Sequence, residues 1–141
     1  MTIPESIRTL VATGPLAHLT TLNSDGSPQV TVVWVAIEGD EIVSAHLDLH
    51  RKIKNIRRDP RVAVSLISPS KNAIGLREYL VVYGTARVTE GGAVPLLQRL
   101  ARTYMGPDAD FPPPALRDRP GFVTRITPVR FAGEGPWNVR S

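Results

Sequence analysis

The sequence contains no cysteine among its 141 residues, which excludes disulfides, thiolate metal ligands and cysteine nucleophiles in one step. Three histidines are left as good metal ligands, so no zinc or iron site is expected. Aromatic residues make up only 6% of the chain, too few for a platform of base-stacking rings. No apolar run approaches the roughly 20 residues that cross a bilayer, and Met1-Thr2-Ile3-Pro4-Glu5 lacks the basic-then-apolar order of a signal peptide. A cytoplasmic protein with no membrane partner is the expectation. The phosphate loop of the nucleoside triphosphatases and the G-x-G-x-x-G fingerprint of dinucleotide enzymes are both missing. Ser44 and Ser65 sit in no nucleophile elbow, which leaves a hydrolase without support.

What remains has the balance of one globular domain spanning 1–141, with 42% hydrophobic and 21% charged residues. The net charge of +4 and the isoelectric point near 10.0 favour an anionic partner but fall short of a dedicated nucleic-acid binder. The excess is local. Between Arg51 and Arg61 stand six Lys/Arg residues against the single acid Asp59.

Hydrophobic periodicity and turn residues divide the chain into short elements. Thr2-Ile3-Pro4-Glu5 has the form of a capping box opening a helix that ends at Gly14-Pro15. Leu16–Leu22 and Pro28–Ile37 flank the turn Asn23-Ser24-Asp25-Gly26-Ser27 and predict a hairpin. The second of these strands is apolar on both alternating faces, so it should lie between two packed layers, in a barrel or at a dimer interface. A strand is predicted over Glu41–His46, a helix over His50–Arg58 stopped by Asp59-Pro60, and a strand over Arg61–Ser68. A loop at 68–72, a strand from about Glu78 to Thr89, a helix from Ala93 to Tyr104 and a last strand from Phe122 to Phe131 complete the pattern. The segment Gly106–Pro120 carries Pro112-Pro113-Pro114 and should form an irregular connection or lid. This order argues for a mainly antiparallel barrel rather than a parallel α/β fold.

The basic helix is the informative stretch. With Leu49, Ile53 and Ile56 placed inward, Arg51, Lys52 and Asn55 fall on another face, with Lys52 at an exposed helix-start position. Cations at a helix N-terminus oppose the macrodipole, yet together with free backbone N–H groups they attract a phosphate. Two readings stand: a solvated basic face, or a phosphate site, the second favoured by the strand-to-helix junction. Trp34, within an apolar strand, reads as packing. Trp137 follows Gly133-Glu134-Gly135-Pro136 and can cover a cofactor or a partner subunit, or make an ordinary surface contact. His18 and His46 read as satisfied barrel histidines.

The hairpin turn Asp25-Gly26-Ser27-Pro28-Gln29, the Val/Trp-rich strand after it and the run Arg51-Lys52-x-x-Asn55-Ile56-Arg57-Arg58-Asp59-Pro60-Arg61-Val62 resemble the pyridoxamine 5′-phosphate oxidase-like split β-barrels. The resemblance covers nearly the whole chain and is closest to the branch of short F420-dependent reductases. It implies a mainly β fold: a six- to seven-stranded antiparallel split β-barrel of the FMN-binding type, with a few short helices. It further implies a homodimer with cofactor sites at the interface and a small-molecule substrate, with F420 as cofactor and FMN as the alternative. By that resemblance Lys52 matches the phosphate-binding lysine, Arg51 and Asn55 its neighbours, and Gln29, Val30, Thr31 and Val32 the strand beside the ring. His50 stands where the family carries its first basic residue of that loop. Arg77 and Tyr79 match residues that cover the ring from the second subunit, and Trp137 is a further candidate. No residue presents itself as catalytic, which suits a cofactor that carries the hydride chemistry. The implied activity is hydride transfer from reduced F420 to an activated double bond or quinone. A non-catalytic F420 carrier is a further reading, and nucleic-acid binding through the basic helix ranks last.

Overall fold

A computed structural model of the chain describes residues 1–138. Seven strands, β1 (Ala17–Leu22), β2 (Pro28–Val33), β3 (Ala36–Glu38), β4 (Glu41–His46), β5 (Arg61–Lys71), β6 (Arg77–Glu90) and β7 (Phe122–Glu134), form one sheet in the order β2-β1-β5-β6-β7-β4-β3. Every pairing is antiparallel. β2 and β3 lie at opposite edges of this sheet, yet only Trp34 and Val35 separate them in sequence. A chain reach of roughly 3.5 Å per residue brings those edges within about 10 Å of each other. The sheet must therefore roll up, and the result is a split barrel.

Helices α1 (Glu5–Ala12), α2 (Arg51–Arg58) and α3 (Ala93–Tyr104) pack around it. The larger apolar cluster fills the barrel with Leu19, Val33, Val35, Ile42, Val64, Leu66, Leu80, Val82 and Ile126, joined by Ile7, Leu10 and Val11 of α1 and Ile56 of α2. A second cluster packs α3, through Leu96, Leu97 and Leu100, against Val43, Ala45 and Val123. β4 is thus covered on both faces. Ile42 faces the barrel and Val43 the helix, and five consecutive residues of the strand, Ile42–His46, are buried. Gly121 locks this corner: its φ is +59°, and a Cβ there would lie 2.6 Å from the His46 carbonyl oxygen.

The structure departs from the sequence expectations in four places. The N-cap of α1 is Pro4, with no side-chain cap bond. Ile3 is buried and its N–H donates to Asp40 Oδ1 at 2.9 Å, so Thr2 lies outside the helix and forms no capping box. The predicted strand Pro28–Ile37 breaks into β2 and β3, because Val35 N–H leaves the ladder to donate to the Tyr104 hydroxyl at 3.0 Å. β5 continues to Lys71 through the expected loop, and the turn is made instead by Asn72, whose N–H donates to Leu76 O at 2.8 Å. Finally, Leu49 is exposed and Lys52 is buried, the reverse of the face assigned to each. No helix among the described residues is long and apolar enough to cross a membrane.

Candidate functional site

α2 carries Arg51 and Lys52 in its first turn with no acid beside them, and its N-cap, His50, makes no side-chain cap bond. The helix buries Ile53 and Ile56 in the barrel mouth and, on the same side, Lys52 and Asn55. Lys52 is one turn before Ile56, so the two share a stripe. Arg51, Lys54, Arg57 and Arg58 remain exposed.

Asn55 is a structural hub. Its Nδ2 lies 3.0 Å from Thr21 Oγ1, 3.1 Å from Asn23 Oδ1 and 3.1 Å from Gln29 Oε1. Its Oδ1 accepts from Arg58, which also donates to the Leu22 carbonyl. Thr21 in turn donates to Gln29 Oε1 at 3.1 Å. This network clamps α2 to the β1–β2 hairpin and occupies both polar ends of the Asn55 amide together with Gln29 Oε1.

Lys52 differs in kind. It is 8% exposed, makes no hydrogen bond or ion pair among the described residues, and its pKa is lowered by burial. It lines a cavity of about 250 Å³ walled by Leu16, Val32, Val33 and Trp34 on one side and by Ala45, His46, Leu97 and Phe111 on the other. No carboxylate is among those walls. Trp34 stacks on Tyr104 with ring centroids 5.3 Å apart and meets Phe111 edge-on at 5.6 Å, so it both packs and lines the cavity. An unpaired buried ammonium is costly unless an anion completes it.

His46 shares the cavity. Its Nε2 lies 3.1 Å from Ser44 Oγ, and its ring meets that of His50 edge-on at 6.0 Å between centroids. Burial, reinforced by the charges of Lys52 and His50, pushes its pKa down to about 3. The ring is neutral at physiological pH.

The other expected site residues are dispersed. Arg51 joins Lys54, Asn55 and Arg58, three cations against the single acid Asp25, around a separate polar depression of about 500 Å³ beside the hairpin turn. Val30 and Val32 are 59% and 55% exposed on the outer face of β2, and the Thr31 hydroxyl, pointing the other way, is buried without a partner. Register extends that outer face from Val32 through His18, Ser65 and Val81 to Ala132, and from Val30 through Thr20 and Ala63 to Tyr83. Ile67 and Tyr79 extend it further, both exposed. Arg77 reaches the Ser68 carbonyl at 3.4 Å. Trp137 is buried in the main cluster and donates from Nε1 to Tyr79 O at 3.1 Å. Within one chain neither Arg77, Tyr79 nor Trp137 lines the Lys52 cavity.

Sequence reasoning overlooked His46, held by Ser44, and Phe111 as neighbours of Lys52. For His46 and Ser44 a signal exists, since residues two apart on a strand share a face. Phe111 arrives from the proline-rich connection and has no such signal.

Comparison with known proteins places this arrangement. The family model described as pyridoxamine 5′-phosphate oxidase matches residues 3–132. The chain belongs to that family. Among solved structures it is similar to a protein described as an F420 reductase, with 30% identity, a TM-score of 0.73, and coverage of 92% of this chain and 98% of that one. A conserved hypothetical protein from Mycobacterium tuberculosis matches at 24% identity and a TM-score of 0.73, covering 98% and 86% of the two chains. General stress protein 26 of Bacillus anthracis shares the fold at 21% identity and a TM-score of 0.62, with 92% and 91% covered. No curated protein sequence gives a significant match. This pyridoxamine 5′-phosphate oxidase family member therefore combines the fold of its relatives with a buried, uncompensated lysine at the barrel mouth.

Proposed function

We propose that this family member is an F420H2-dependent reductase that acts as a homodimer on a small molecule bearing an activated double bond or a quinone. The observation that carries the reading is Lys52, a buried cation without a counter-charge, opening on a cavity with apolar walls. A phosphate group completes it: the anion compensates the ammonium, and the free N–H groups at the start of α2 add to the attraction. The match to an F420 reductase at 30% identity supports the deazaflavin as the phosphate's bearer. When bound, reduced F420 supplies the hydride.

The protein's own residues then have distinct parts. Lys52 holds the phosphate, with His50 beside it at the helix start. Val30, Thr31 and Val32 offer a strand edge and apolar surface to the ring, and Asn55 and Gln29 fix the distance between that strand and α2. The polar depression with Arg51, Lys54 and Arg58 suits the acidic tail of the coenzyme. The largely apolar outer face through Val30, Val32, Ile67, Tyr79 and Tyr83, with Arg130 stacked over the Tyr83 ring at 4.3 Å, suits a second copy of the chain. In that dimer the exposed Arg77 and Tyr79 of one subunit belong beside the site of the other, while Trp137, buried in its own chain, backs Tyr79 through the hydrogen bond to its carbonyl. Burial of this face also excludes water, which hydride transfer requires.

FMN is the second reading, favoured by the family match to an oxidase, because Lys52 accepts any phosphate. Titration of the purified protein with F420 and with FMN, side by side, tests the choice. Tighter binding of F420, with oxidation of F420H2 by quinones or enones, is the expected result. A preference for FMN, or F420 binding with no turnover across a broad acceptor panel, would overturn the reductase assignment.

A further inference from the structure

We propose that His46 is a second anion-contacting residue of the Lys52 cavity, and that filling this cavity with a phosphate or sulfate oxyanion draws one proton onto the His46 ring. The inference rests on the cofactor-phosphate reading and goes beyond it, since it assigns a residue and a linked proton to the site.

The geometry leads there. His46 is 8% exposed and ends β4 at the wall of the cavity that Lys52 closes from α2. Its Nε2 is engaged by Ser44 Oγ at 3.1 Å, whereas Nδ1 has no hydrogen-bond partner among the described residues. One ring nitrogen is thus anchored and the other is left for a ligand. An anchored imidazole with an open Nδ1, lining the same cavity as the unpaired Lys52, is a costly arrangement unless a polar ligand completes it.

The charge balance explains why the ring is neutral now. Around His46, α2 presents Lys52 and His50, with Arg57 stacked above Phe122 at 5.4 Å. β7 presents Phe122 and Thr124, and Arg125, its nearest charge, is paired with Glu38 at 2.9 Å. β2, α3 and the proline-rich connection contribute only Val32, Val33, Trp34, Leu97 and Phe111. No carboxylate faces the ring, so the field is positive and burial adds to it, which is why protonation is held down to about pH 3. An oxyanion seated between Lys52 and His46 reverses that field. The imidazolium then donates through Nδ1 to the anion and through Nε2 to Ser44, and the proton comes from solvent.

Inorganic sulfate is the probe, because it remains a dianion throughout the range in which phosphate monoesters titrate. With only three histidines and three lysines in the chain, imidazole nitrogen and lysine side-chain resonances of the wild-type protein can be followed from pH 7.5 to 5 with and without saturating sulfate. The expected result is a His46 ring that stays neutral without sulfate and whose protonation midpoint rises into the range between pH 7.5 and 5 with it. Sulfate affinity should increase toward acid, approaching tenfold per pH unit, the limit for one linked proton. That dependence should persist in His50→Gln and flatten in His46→Gln. If the Lys52 resonance reports bound sulfate while His46 remains neutral, the proposal is overturned and the cofactor-phosphate reading survives. If neither residue responds, both fail.

Discussion

Asn55 and Lys52 stand three residues apart on the same helix and are both buried, yet their surroundings are opposite. Asn55 is surrounded by partners from the β1–β2 hairpin, and Lys52 has none among the described residues. A satisfied buried polar group rigidifies a fold, whereas an unsatisfied buried charge destabilises it and persists where a ligand needs it. The contrast separates the residue that builds the site from the residue that uses it.

Substitution at these two positions should therefore have effects of different kinds. The largest loss of stability is expected for Asn55→Leu, which removes the hub, leaves Asn23 Oδ1 without its donor and strips one bond each from Thr21 and Gln29. The predicted cost is about 2–4 kcal/mol in urea denaturation. Lys52→Met should weaken binding of the phosphorylated cofactor by about 1.5–3 kcal/mol, the range for a charged hydrogen bond. Its ligand-free form should be at least as stable as wild type, because the desolvation penalty of the ammonium is gone. A Lys52→Met protein that unfolds more readily without ligand would mark Lys52 as structural.

His46 sharpens the comparison through pH. Its folded pKa, about 3, is depressed below the ordinary 6.5, so the unfolded chain binds the extra proton first. Stability is present above pH 6.5 and is lost as pH falls toward 3. Between pH 6.5 and 4.5 the ligand-free protein should lose about 2 kcal/mol to this one group, and His46→Gln should remove that part of the slope. The smallest effect belongs to the exposed cations. Arg51→Ala should change cofactor affinity by less than about 1 kcal/mol, and the difference should fade as salt rises.

Much of this architecture is legible in the residues themselves. The hairpin around Asp25-Gly26, α3 and the basic α2 follow from turn chemistry and apolar spacing, and each forms where the sequence places it. The break at Trp34-Val35 does not, because both residues are as apolar as the strands they divide. The break depends on Tyr104, which is 69 residues away in sequence. Lys52 was misplaced for a different reason. Its spacing from Ile56 puts it on the buried stripe, but a charge is ordinarily read as solvent-facing, and that reading overrode the period. The cavity itself was out of reach, since Phe111 and Leu97 meet Lys52 only in three dimensions. The spent hydrogen bonds of Asn55 and Gln29 were equally invisible, as they depend on the fit of α2 against the hairpin.

The most direct test observes Lys52 itself. Isotope-labelled lysine would resolve Lys52, Lys54 and Lys71, the three lysines of the chain, during addition of F420 to the intact protein. The account predicts that the Lys52 side-chain signal shifts on binding and that its titration midpoint rises as the phosphate compensates the buried charge, with Lys71 unmoved. A saturating F420 titration that moves Lys54 and leaves Lys52 unchanged would contradict it.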